Sequence, residues 1–184
     1  MDARMTLEEN FLAAAADTLG ENVDRIETCV RKLPAAALWA RGSEHENAVG
    51  NLLLHLEGNV RQWILSGIGG SPDHRDRPGE FSARAGATGP VLLGRLRAAV
   101  AEAVQIIRTL PHARLVEPVS IQGYETTVLA AIFHVVEHFS GHTYQIILLT
   151  KRETREGLGF YAYLDETGRR EPESSAARGR SPVK

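Results

Sequence analysis

Seven histidines stand in this chain, and their spacing sorts them. His138 and His142 lie four residues apart in a run where Val128, Ile132, Val135, Phe139, Ile146 and Leu149 recur at intervals of four and three. That periodicity predicts one long helix over about 126–152, with His142 taking the place of an apolar residue in the buried stripe. At roughly 100° per residue, His142 falls about 40° into the apolar sector from His138, and His134 about 40° the other way. His138 is therefore expected at the edge of the sector. His134 is expected to face solvent or a flanking helix. Two imidazoles at i and i+4 are neighbours on a helix and can share one divalent ion.

A third ligand has to come from another element. His55, in VGNLLLHLEGNVRQW, sits within a second helical pattern at the border of its apolar stripe, with Asn59 one turn on. His45, His74 and His112 fall in loops or turns and have no helical reason to face inward. The candidate ligand set is His55, His138 and His142. Three neutral imidazoles leave the ion's double charge uncancelled and a position open, as in catalytic zinc sites, so a water or a thiol could be acidified there. Nickel, iron and manganese accept the same ligands. The other reading is a polar histidine stripe, hydrogen-bonded and metal-free. Glu57 and Glu137 adjoin candidate ligands in sequence and are candidate supporting carboxylates. Arg61 and Gln62 lead towards Arg75, Asp76 and Arg77, an arginine cluster that could hold an anionic group or form a solvated ion-pair face.

Four long amphipathic stretches must position these residues. The first, about 6–33, carries Leu12, Ala16, Leu19, Val23, Ile26, Val30 and Leu33, with a Thr6/Glu9 capping box at its start and Pro34 past its end. The second runs over about 46–66 and stops at Gly67 and Gly69-Gly70. A Gly- and Pro-rich loop follows over 69–90, with a short helical turn expected around Glu80-Phe81. The third begins after Pro90 and reaches Pro111. An extended connector, with a small hairpin around Gln122-Gly123, leads to the fourth. The fold class expected is all-α, a four-helix bundle spanning 1–164, with 165–184 a disordered tail. Trp39, Trp63, Phe133 and Phe139 are expected in the core, and Cys29 as a buried, inert thiol.

The 184 residues carry a formal net charge of −2 and one cysteine. There is no basic excess for binding a nucleic-acid backbone. There is no disulfide framework, no apolar run of membrane-spanning length, and no leader pattern at the first residues. The expectation is a cytoplasmic protein acting on a small molecule, without nucleic-acid or membrane partners.

The segments Asn51 to Ile64, Asp73 to Phe81 (DHRDRPGEF) and His134 to Ile146 (HVVEHFSGHTYQI) together resemble the DinB-like superfamily of metalloenzymes, over roughly residues 5–163. The resemblance implies a four-helix bundle with a divalent ion on one His of the second helix and an H-x-x-x-H pair near the last long helix, here His55, His138 and His142. Relatives are chemically mixed. Some use low-molecular-weight thiols such as bacillithiol and mycothiol as transferases or isomerases. The resemblance therefore implies a metal-dependent S-transferase type of activity on a small electrophile. A metal-dependent hydrolase and a non-catalytic metal-binding or structural homodimer are the alternatives. Where relatives often carry Gly before the Gln of H-x-Gly-Gln, Tyr144 stands here, and a phenol so near the pair either narrows the pocket or faces away.

Overall fold

The computed structural model describes residues 5–164 and 167–169; most of the segment expected as a tail from 165 lies outside them. The chain is mainly helical, with five α-helices and a single two-stranded sheet among the described residues. Helix α1 (Leu7–Lys32) starts at the expected capping box, with Thr6 Oγ1 accepting from the Glu9 amide and the Glu9 carboxylate accepting from the Thr6 amide. Helix α2 (Val49–Val60) runs straight into a π-helical segment, Arg61–Ser66. Helix α3 (Arg77–Ser82) is short, α4 spans Gly89–Arg108, and α5 spans Val128–Thr154. α1 packs on α4 and α5, and α2 packs on the same two helices from the other side. Leu19, Ile26, Leu52, Leu56, Leu96, Ile107, Ile132, Phe139 and Ile146 meet in the shared core. Burying these stripes, rather than helix propensity, is what stabilises the four long helices.

The connector between α4 and α5 forms the hairpin anticipated at Gln122-Gly123. β1 (Pro118–Ile121) pairs antiparallel with β2 (Tyr124–Thr127), and both turn residues take positive φ, 54° and 80°. The hairpin is seated by Ile121 against Gly67, where an added Cβ would fall 2.5 Å from Ile121 Cδ1. The strands are a departure from a purely helical fold.

Two core expectations divide. Trp63 and Phe139 are buried and Trp39 is partly buried against the core, but Phe133 is 61% exposed on α5. At about 100° per residue, Phe133 falls roughly 100° beyond the apolar sector of that helix, and no element among the described residues covers it. Cys29 is buried as expected, and burial raises its thiol pKa. No helix among the described residues is long and apolar enough to cross a membrane.

Candidate metal centre

Helix α2 carries a polar row inside its buried face: Asn51, His55 and Asn59, each four residues from the next, continuing to Trp63. Helix α5 presents His142, His138 and His134 to this row. The His55 ring is 4.9 Å from both the His138 and the His142 ring, and the Trp63 ring is 4.3 Å from the His134 ring (centroid distances). His134 thus faces a flanking helix, one of its two expected directions. His138 and His142 are both half-buried, so they differ less than their helical angles suggested.

The imidazole edges converge. His138 Nε2 lies 3.0 Å from His55 Nε2 and 3.2 Å from His142 Nε2, and the three ligand atoms all fall within 4.8 Å of one another. Nitrogens bound at about 2.0–2.1 Å to a tetrahedral ion sit roughly 3.3 Å apart, so this spacing is compatible with a metal site.

The tautomers point the same way. His55 Nδ1 lies 2.8 Å from Glu80 Oε2. An ionised carboxylate only accepts, so Nδ1 carries the proton and Nε2 a lone pair. His142 Nδ1 lies 2.9 Å from Gln145 Oε1, which fixes the same arrangement there. With both of those Nε2 atoms as acceptors, a single His138 N–H can satisfy one of them at most. A divalent ion accepts all three lone pairs. His138 Nδ1, buried and without a hydrogen-bond partner among the described residues, then carries the ring proton.

The three α5 rings are held neutral. Burial, reinforced by His142, His55, His134 and Arg75, lowers the His138 pKa to about 3. Burial also lowers that of His142, although the bond to Gln145 acts in the opposite direction, and it lowers that of His134 against the pull of Glu137. A neutral imidazole is the form that ligates a metal.

Glu80 is the residue that helical spacing did not reveal. It sits on α3, in the middle of the long loop, and is buried. Burial alone would raise its carboxyl pKa. Hydrogen bonds from His55 and Arg75, and the Arg75 charge, outweigh that and hold it below the ordinary range. Arg75 grips it at both oxygens, Nε to Oε1 at 2.7 Å and Nη2 to Oε2 at 2.9 Å. Arg75 also donates to Gln62 Oε1 at 2.9 Å, and its side chain is 3% exposed. Arg75 is therefore occupied in orienting Glu80. For Arg75 this corrects the reading as an anion holder or part of a solvated face, while Arg61, Asp76 and Arg77 are exposed as a solvated face requires. Of its other members, Arg61 pairs with Glu57, Arg77 lies over the Phe81 ring, and Asp76 caps α3.

A six-residue helix cannot hold itself in water. Asp76 Oδ1 caps α3 by accepting from the Gly79 amide. Buried Asn51 donates to the carbonyls of Glu80 and Ala83, at 2.8 and 2.9 Å, and Arg41 donates to those of Phe81 and Ala83. Phe81 packs on the His55 ring at 4.6 Å. Gly58 lets the loop approach α2, since a Cβ there would lie 2.0 Å from Glu80 Oε1. The signals for α3 were present as Asp76, Pro78 at a first-turn position, and a buried-face Asn51 in need of partners.

The two carboxylates adjacent in sequence do not play this part. Glu57 is buried but pairs with Arg61 and Arg95, and Glu137 is exposed. Tyr144 is half exposed and its hydroxyl accepts from Arg25 of α1 at 3.2 Å, so it faces away and does not narrow the site. His45, His74 and His112 are exposed and apart from the cluster. Beside the imidazoles lies a cavity of about 650 Å³ that includes Asn59, Trp63, Gln122, Tyr124 and His134 in its lining.

Fold and site together define a helical protein with a three-histidine cluster compatible with a metal site. Residues 6–158 match the family described as "Protein of unknown function (DUF1572)", and the chain belongs to that family. No curated protein matches it. The crystal structure of the conserved protein of locus from Enterococcus faecalis shares the fold, with a TM-score of 0.66 at 14% identity, covering 83% of this chain and 100% of that one.

Proposed function

We propose that the chain is a metal-dependent enzyme of the DinB-like four-helix type, with His55, His138 and His142 holding one divalent ion. The observation that carries this reading is the meeting of three Nε2 atoms with two of their Nδ1 partners already fixed. The donor set suits zinc, and nickel, iron or manganese fit as well. When bound, the ion supplies Lewis acidity towards a thiol or a water. The chain's own residues do the rest. Glu80, itself held by Arg75, keeps the His55 proton on Nδ1 and the ring in place; such partners raise ligand basicity and affinity. Because the Glu80 and Arg75 charges cancel, the three neutral ligands leave the centre net positive, which favours an anionic nucleophile.

The nucleophile we assign is a low-molecular-weight thiol, attacking a small electrophile in an S-transferase type of reaction. The support for a thiol is the resemblance in sequence. We assign its work to the cytoplasm, where such thiols are kept reduced. Homodimerisation belongs to the same reading, with exposed Leu129, Phe133 and Leu148 along α5 the apolar side chains available for it.

The test is metal analysis of untagged protein beside a His142→Ala variant. Wild type is expected to carry one ion per chain and the variant little. Equal content in both would end the reading. A screen of electrophiles with cellular thiols, against water alone, then separates transferase from hydrolase.

A further inference from the structure

A second cavity, of about 510 Å³, lies between α2 with its π-helical extension, α4 and the loop over 71–80. Both residues of the Arg75–Glu80 pair line it, whereas none of the three clustered histidines does. Arg61 of the π-helical segment and Arg95 of α4 line it from separate elements. Each turns Nε towards a different oxygen of Glu57, Arg61 to Oε1 at 2.9 Å and Arg95 to Oε2 at 3.0 Å. One buried carboxylate therefore ties together two guanidiniums whose side chains are 46% and 53% exposed. A guanidinium has five N–H donors, and Nε carries only one. The Nη groups of both arginines make no hydrogen bond among the described residues. Two cations share one anion here, so this corner keeps a positive excess.

The rest of the lining narrows the ligand. Glu80 is paired with Arg75, Asp76 caps α3, and Asp73 accepts from Gln62 and from the Arg75 amide. Their charges persist, and five carboxylates line the cavity against three guanidiniums. A multiply charged anion is repelled by that balance, while a single negative charge can settle between the two arginines. Glu102, the lining acid without a partner among the described residues, lies seven residues along α4 from Arg95, roughly 10 Å by helical rise. Leu54, Leu65 and Pro72 give the cavity apolar wall.

We infer that this cavity is a binding site for a small organic acid with one carboxylate and an apolar body, the carboxylate taken by the Nη groups of Arg61 and Arg95. A planar guanidinium matches a carboxylate through two parallel N–H bonds, and side chains already tied to Glu57 lose less freedom on binding. No imidazole takes part, so the assignment stands apart from the metal reading.

The experiment is a titration of the nitrogen-15-labelled chain, stripped of metal by chelator and, in parallel, loaded with zinc. The probes are hexanoate, acetate, 1-hexanol, hexylammonium and inorganic phosphate. The readout is the backbone amide resonances of Gly58 and Gly79, which line the cavity. Hexanoate is expected to shift both, about tenfold or more tighter than any other probe and equally in the two preparations. Arg61→Ala and Arg95→Ala each leave Glu57 one arginine. Each should weaken hexanoate about tenfold and erase its lead over 1-hexanol. Arg77→Ala, outside this cavity, should change nothing. No shift with hexanoate, equal or tighter binding of any other probe, or a lead that survives both arginine variants would overturn the assignment. So would a response seen only with zinc, which would put the acid on the ion. Absence of zinc uptake with the hexanoate response intact removes the metal reading and leaves this site.

Discussion

Two buried carboxylates lie on either side of Gly58, and they do different work. Glu57 is met by Arg61 Nε at 2.9 Å and Arg95 Nε at 3.0 Å, whose side chains are about half exposed. Glu80 is met by Arg75, which is almost wholly buried, and by His55 Nδ1. Glu57 is two residues from His55 in sequence, yet two residues on a helix is about 200°, so it faces another way. Glu80 is 25 residues away and touches the ring. A supporting carboxylate is chosen by direction in space, and a loop pinned from the helix it faces can provide that direction.

Truncation should separate the pair most strongly. Glu80→Ala strips Arg75 of its partner in a closed setting and is expected to cost about 3–5 kcal/mol in urea unfolding. It should also weaken metal binding about 10–100-fold in a competition titration. Glu57→Ala frees arginines that can reach water. It should cost about 1 kcal/mol and leave metal affinity unchanged. Equal effects on metal affinity would erase the distinction.

Acid distinguishes the histidine end next. His138 is lowered from 6.5 to about 3 in the folded protein, so between those values the unfolded chain binds more protons. His142 is shifted in the same direction. Stability of the metal-free protein should be level above pH 7 and fall as the pH drops from about 6.5 towards 3, measured by urea midpoints. A His138→Phe variant should flatten that fall, and Glu57→Ala should not.

A smaller effect is expected from Gly58→Ala. Its methyl would displace the Glu80 carboxylate without removing it, so metal affinity should drop about tenfold while the ligands stay intact. Weakest is Tyr144→Phe, which loses one exposed bond to Arg25. It should stay within about 0.5 kcal/mol of wild type and hold its metal content unchanged.

Much of the frame was readable in advance because helices write their buried face at a fixed period. The Thr6/Glu9 box, the four long helices, and the turn at Gln122-Gly123 all follow from patterns within a few residues of one another. The inward lean of His55, His138 and His142 came from the same arithmetic. Glu80 and Arg75 escaped it, since α3 is too short to show a period and its place depends on Asn51 and Arg41. The exposure of Phe133 and the outward turn of Tyr144 were equally outside its reach, because both depend on which neighbour is present.

The sequence by itself determined which residues lie on each helix face, because that is set by local geometry repeated every 3.6 residues. Only the tertiary structure decided which faces meet: that His55 closes on the α5 pair, that a loop carboxylate orients it, and that Arg61 and Arg95 share Glu57. Those pairings depend on long-range packing, where the contact between residues 55 and 138 is selected by the whole core rather than by any neighbouring stretch of chain.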